Sequence, residues 1–481
     1  MSRGRGQRGG IRSAAQLPAR ARLMKTAAAP KLRSDGAQSS SAQAVNAAVP
    51  PLDRLLLHLM IAALCAATLA VLVQITKGTV IRNEGSGNWV FAPFCPRYTL
   101  LLRLLGIASV LGAGLLACLE NGIGWLGGRT RLIMGLYSMA ACIWFLVGFF
   151  SMWKKELLTE NNSPLVWFLC LGVAAGTRPV ISRHLGRIAG IAAWCVFPLM
   201  LYSLTRIPEY GRFQRVNPQV MYLSLLLWFA AYHLLSTPGT AWLPRAARSI
   251  PLLACCVVAA FNQGRGWILQ CLLAFLLFLA RPLFLREANA ASKLLKNGIL
   301  AVLAMAAAFL LLLQFYPLAI QGLIDRGAED TRTEQYTDFF SQLGVFDLLI
   351  GKGPTGSYVF HESNYGYIDN QFLWMLLKGG FVIALGYTVL VIVPGFRLFF
   401  RARNERDYAA AGTLILWSLS LAGLSTYLSI DFSTQNYFIV LLAGYCHWRL
   451  MAQTPKVPIR RWRMLPLPRT RRNVSATTTR A

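Results

Sequence analysis

Residues 370–394 read NQFLWMLLKGGFVIALGYTVLVIVP, 25 residues that hold one charge, Lys378. An α-helix rises 1.5 Å per residue, so the run is about 37 Å long, against roughly 30 Å for the hydrocarbon core of a bilayer. Its apolar residues are continuous and do not alternate, which excludes a transmembrane β-strand. Asp369 stands at the entry, where a carboxylate caps a helix N-terminus. The stretch therefore reads as a membrane-crossing helix that begins at a polar boundary.

Similar runs fill the chain on both sides. They lie near 55–76, 98–119, 132–153, 164–177, 188–205, 219–237, 249–263, 266–281, 297–318, 411–428 and 436–451, which with 370–394 makes about 12 transmembrane helices. The runs at 164–177 and 249–263 are the weakest. Composition agrees: 55% of the 481 residues are hydrophobic and 14% are charged, whereas a soluble domain carries about 25% charged residues. The fold class is an all-α polytopic membrane protein, a helix bundle over residues 51–451 with one large loop at 319–369.

The net charge is +29. On a soluble chain such an excess points to nucleic acid, but here its placement explains it. Basic clusters occupy every second loop: Arg129 and Arg131; Arg178, Arg183 and Arg187; Arg245 and Arg248; Arg281, Arg286, Lys293 and Lys296; Arg397, Arg401, Arg403 and Arg406. Positive loops stay in the cytoplasm, so both termini are expected inside and the 319–369 loop outside. Residues 1–50, rich in Arg, Gly, Ala and Ser, cannot bury enough apolar surface to fold and read as a disordered cytoplasmic tail. Residues 452–481 form a second basic tail. Both tails suit anionic headgroups of membrane lipid, and no nucleic-acid partner is expected. The 10 cysteines show no CxxC spacing and sit mostly in apolar runs, where they serve as small apolar residues.

The 319–369 loop is where chemistry is expected. It holds eight of the 19 acidic residues, several aromatics and the Gly-rich run GKGPTG. A short amphipathic helix is expected near 333–343. Three polar groups converge on the outer face under this topology. Arg265 lies in the tight turn Asn262-Gln263-Gly264-Arg265-Gly266. Arg326 and Arg332 open the loop. His361, Asp369 and Asn370 close it. Arginine offers a planar fork of donors suited to phosphate, although a snorkelling Arg265 and surface ion pairs at Arg326 and Arg332 are the plainer readings. Asp369 or His361 is placed to take a proton from an attacking hydroxyl; a helix cap and an ordinary loop histidine are their plainer readings. Tyr336, Phe339, Tyr358, Tyr365 and Tyr367 are of the kind that stack on sugar rings. No DxD pair and no histidine cluster suggests a metal.

Three local patterns carry a family resemblance. Asn262-Gln-Gly-Arg-Gly266 lies between two apolar runs. Asp330-Thr-Arg332 is followed by an amphipathic stretch and a Gly-x-Gly turn. Asp369-Asn-Gln-Phe-Leu-Trp-Met-Leu-Leu-Lys-Gly-Gly380 opens a helix. Together, in this order around one outer loop, they resemble the O-antigen polymerase and O-antigen ligase superfamily over about residues 250–450. The resemblance implies glycan transfer from an undecaprenyl-diphosphate carrier, with no cofactor, metal or nucleotide sugar. It implies Arg265 and Arg332 on the diphosphate; Arg326 is a further candidate there from its place in the loop, Asp369 and His361 are the candidates for the base, and Asn370, Tyr336 and Tyr365 for contact with the substrate. Ligases of the family carry His where this chain has Asp369, which favours a polymerase of lipid-linked repeat units in a bacterial inner membrane. The partners implied are the lipid-linked oligosaccharide, a chain-length regulator and a flippase. The alternatives are a ligase acting on lipid A core and, from another class, a lipid-linked sugar flippase or transporter.

Overall fold

The computed structural model describes residues 50–77, 79–82, 89–92, 96–121, 128–151, 164–210, 227–238, 242–261, 265–287, 289–315, 332–366, 368, 370–424 and 434–453. The N-terminal tail to residue 49 and the tail from residue 454 lie outside them. In chain order the α-helices are α1 (Pro51–Lys77), α2 (Pro96–Asn121), α3 (Gly128–Ser151), α4 (Leu171–Gly176), α5 (Pro179–Tyr210), α6 (Leu227–Leu235), α7 (Trp242–Phe261), α8 (Arg265–Phe284), α9 (Ala290–Phe315), α10 (Arg332–Ser341), α11 (Val345–Ile350), α12 (Gln371–Tyr387), α13 (Val393–Phe399), α14 (Glu405–Leu419) and α15 (Thr434–Gln453). π-Helical turns at Thr388–Ile392 and Ser420–Leu424 continue α12 and α14. Two antiparallel hairpins complete the described residues: β1 (Thr79–Arg82) with β2 (Trp89–Ala92), and β3 (Tyr358–Phe360) with β4 (Ser363–Tyr365).

Where described, each apolar run of the sequence falls on helix. Among the described residues, five helices are long and apolar enough to cross a membrane: Pro51–Ala70, Leu100–Glu120, Thr130–Ser151, Gly266–Phe284 and Gln371–Phe399. A sixth is reached if Pro164–Gly176 and Pro179–Cys195, which meet at 108°, form one broken span. The two weakest runs thus depart from a plain span. Residues 164–170 wind as a 3₁₀ helix before α4, and α7 carries Pro251 inside it, where a missing N–H breaks the helical ladder.

Lipid tails are as apolar as leucine, so helices in a bilayer associate through close packing. Small residues provide it here. A Cβ on Gly444 of α15 would lie 2.2 Å from the Val173 carbonyl oxygen, and one on Gly176 would lie 2.4 Å from that of Leu441. The backbones of α4 and α15 therefore touch. Every residue of α6 is buried, as expected for a helix that is apolar on all faces. Trp228 of α6 meets Trp417 of α14 edge-on at 5.2 Å, and Phe229 stacks on Phe438 of α15 at 4.4 Å.

Several residues of the basic clusters hold the bundle together. Arg178 bonds Asp53 of α1 at 2.8 Å and also Glu120 of α2. Arg281, only 2% exposed, donates to the Thr237 carbonyl. Asp407 is fully buried at the start of α14. It accepts both arms of the Arg449 guanidinium, at 2.6 and 2.7 Å, and the Tyr445 hydroxyl at 2.6 Å. A buried carboxylate needs this many partners to offset the loss of water.

Candidate active site

α12 starts where the sequence places a boundary. The cap is Asn370, whose Oδ1 accepts from the amides of Phe372 (3.0 Å) and Leu373 (3.3 Å). Asp369, assigned as the cap from sequence, lies outside the described residues. The Asn370 side chain also donates to the Ala422 carbonyl at 3.4 Å, in the π-helical turn that ends α14. α8 packs against this turn and runs antiparallel to α14, with the Tyr408 hydroxyl on the Leu277 carbonyl at 2.7 Å. Arg265, the first residue of α8, is therefore at the same end of the bundle as Asn370. The side chain of Arg265 and all of Arg326 lie outside the described residues. Five residues into α8, Gln270 is 1% exposed, and neither atom of its amide has a partner among the described residues.

The 319–369 segment, read from sequence as a loop with one short helix, is largely folded where described. The expected amphipathic helix is α10, and half-buried Arg332 is its first residue. Gln342 follows α10 and grips β3 by both ends of its amide: Oε1 accepts from Val359 N and Nε2 donates to Val359 O, each at 2.7 Å. Gln335 donates to the Tyr358 hydroxyl at 2.8 Å. Phe339 and Tyr358 are 0% and 1% exposed and meet edge-on at 5.4 Å. These two aromatics form a small core under the hairpin, which corrects the expectation that they offer faces to a sugar. Tyr365, 38% exposed, stays open on one side while it packs on Tyr358 and Phe360. Tyr336 is half-buried on α10.

His361 and Glu362 are the two turn residues between β3 and β4, with φ of 47° and 61°. Two-residue hairpins need positive φ at both positions so that the turn matches the twist of the strands. His361 is exposed and its ring lies 4.0 Å from that of Phe360. It thus occupies the hairpin tip, several residues from the Asn370 cap.

The GKGPTG run is the largest departure from the sequence reading. Its first residues pack against α12. Lys352 N donates to the Leu377 carbonyl at 2.7 Å. A Cβ on Gly380 would lie 2.4 Å from the Leu349 oxygen, and Gly380 has φ 71° and ψ −174°. That region is open essentially to glycine alone. α12 therefore breaks at Gly380, and the turn seats against the break. Lys378, 2% exposed, donates to the carbonyls of Pro354 (2.8 Å) and Gly356 (2.7 Å). Sequence reasoning placed Lys378 near an outer helix end and gave it no role. The signal was present: a lone lysine in an apolar run must find acceptors.

The described geometry thus gathers Asn370, the start of α8, the Lys378-bound turn and the aromatic hairpin toward one end of the bundle. No family model, no curated protein and no solved structure matches the chain.

Proposed function

We propose that the chain polymerises oligosaccharide repeat units carried on undecaprenyl diphosphate, at the periplasmic face of a bacterial inner membrane. It crosses that membrane about 12 times with both termini in the cytoplasm. The reaction is glycosyl transfer. A hydroxyl of the acceptor unit attacks the anomeric carbon of the donor, the bond to the diphosphate breaks, and the undecaprenyl diphosphate leaves with its electron pair. Arg265, Arg332 and Arg326 neutralise charge on that leaving group, and Asp369 takes the hydroxyl proton. Asn370, Tyr336 and Tyr365 border the acceptor. A ligase acting on lipid A core and a lipid-linked sugar flippase are the competing readings.

The observation that carries the proposal is the folded segment from Arg332 to Asn370. Here Asn370 caps the mouth of α12 at the same end of the bundle as the start of α8, and the segment that leads to it carries Arg332 at the head of α10 and an exposed Tyr365.

The arginines provide the test. Each transition-state donor of this kind is worth on the order of 3 kcal/mol, or about a hundredfold in rate. Arg265→Ala and Arg332→Ala are expected to shorten and deplete the polymer while membrane levels of the protein hold. Lys at either site restores activity only in part, because an ammonium lacks the planar fork. Normal polymer from both Ala variants contradicts the assignment.

A further inference from the structure

The short helix α11 is inside out for a segment in water. Four of its six residues are exposed, and all four are apolar: Val345 (73%), Phe346 (79%), Leu349 (49%) and Ile350 (56%). The other two, Asp347 and Leu348, are half-buried, and the Asp347 carboxylate accepts from Gly344 N at 3.2 Å. Contiguous exposed apolar surface of this kind marks a partner rather than chance.

Two spans place α11 at the same depth. The turn after it contacts α12 at Leu377–Gly380, six to nine residues past Gln371, hence about 9–14 Å from the start of that helix. On the other side, Trp144 Nε1 donates to the Ile350 carbonyl at 2.9 Å. Trp144 lies seven residues before the end of α3, about 10 Å from it. Both α3 and the continuous run from α12 through α13 are long and apolar enough to cross a membrane. Val147 of α3, three residues past Trp144 and so on the same side of that helix, is also exposed at 40%.

The turn also meets the condition for non-helical backbone inside a bilayer, which is that protein satisfies its polar groups. Gly351 N donates to Asp347 O, Lys352 N to Leu377 O and Gly356 N to Gly353 O. The carbonyls of Ile350, Pro354 and Gly356 accept from Trp144 and Lys378.

We propose that residues 344–356 form a re-entrant hairpin. It enters the bilayer from the side of the α12 N-terminus, and the acyl chains of that leaflet cover Val345, Phe346, Leu349 and Ile350. The hairpin would hold the aromatic β3–β4 unit at the lipid boundary, where a lipid-linked substrate must arrive. The inference rests on membrane insertion alone and stands whichever reaction the chain catalyses.

The test uses the full chain in phosphatidylcholine vesicles. Bimane is attached to Phe346→Cys, Leu349→Cys and, as the aqueous control, Glu362→Cys at the hairpin tip, with the signal of the identically treated parent protein subtracted. Phe346 and Leu349 are exposed, so substitution disturbs no packing. Bimane at 346 and 349 is expected to be quenched by phosphatidylcholine brominated on its acyl chains and to ignore aqueous iodide. Bimane at 362 is expected to show the reverse. Iodide quenching at 346 and 349 without bromolipid quenching overturns the proposal. Insensitivity to both overturns it as well, since it would mean that protein, such as a second copy of the chain, covers the face.

Discussion

Single residues separate the chemical reading from the structural one most sharply. From sequence, Asp369 and His361 compete for the role of base. His361 serves a structural need that has nothing to do with proton transfer, because a two-residue hairpin turn requires its positive φ. Asparagine tolerates that conformation better than histidine does in most settings. His361→Asn is therefore expected to keep the β3–β4 hairpin and near-normal elongation. Asp369→Asn leaves the Asn370 cap in place and is expected to bind the lipid-linked unit yet extend it very slowly. Elongation rates of the two purified variants decide between them; a slow His361→Asn beside a normal Asp369→Asn reverses the assignment. The Asn370 cap shows how far sequence reaches at this scale. A polar residue before an apolar run was legible as a boundary, but which of two adjacent cap-type residues accepts the amides depends on one backbone dihedral.

Among the elements, the apolar runs were legible because a bilayer demands long, continuous, charge-poor helices. The breaks were less so. Gly379 and Gly380 in the middle of the 370–394 run gave no sign that the chain 28 residues upstream would lie against them. That contact is long-range, and it depends on Gly351 and Gly380 both holding glycine-only conformations. The element-scale prediction is made there. Gly380→Ala forces a Cβ to within 2.4 Å of the Leu349 oxygen and adds about 1–3 kcal/mol of backbone strain. It is expected to straighten α12 and release the 345–356 hairpin while the rest of the bundle stays folded. Limited proteolysis should then cut within 345–356 in the variant and not in the parent. Equal resistance of both proteins would mean that the break does not hold the hairpin. The aromatics of the segment teach a related lesson. Tyr358 and Tyr365 look alike in sequence, yet pairing across the hairpin buries one and leaves the other half open.

Across the whole molecule, the alternation of basic loops predicts the orientation, and the structure adds that basic residues also fasten helices. Arg178 ties α1 and α2 to the start of α5, and Arg449 neutralises Asp407. A reporter fused after residue 341, ahead of the proposed re-entrant hairpin, is expected to report the periplasm, and one fused after residue 405 the cytoplasm. If both report the same side, the segment from Arg332 to Asn370 cannot meet a periplasmic substrate. The central claim is catalytic, and the product of the purified protein tests it most directly. Wild-type protein in liposomes is given undecaprenyl-diphosphate-linked repeat units extracted from the cells that make it, with a chelator and without nucleotide sugars. The account predicts carrier-linked chains of two or more repeats; units that stay single, or that move only when a lipid A core acceptor is added, would contradict it.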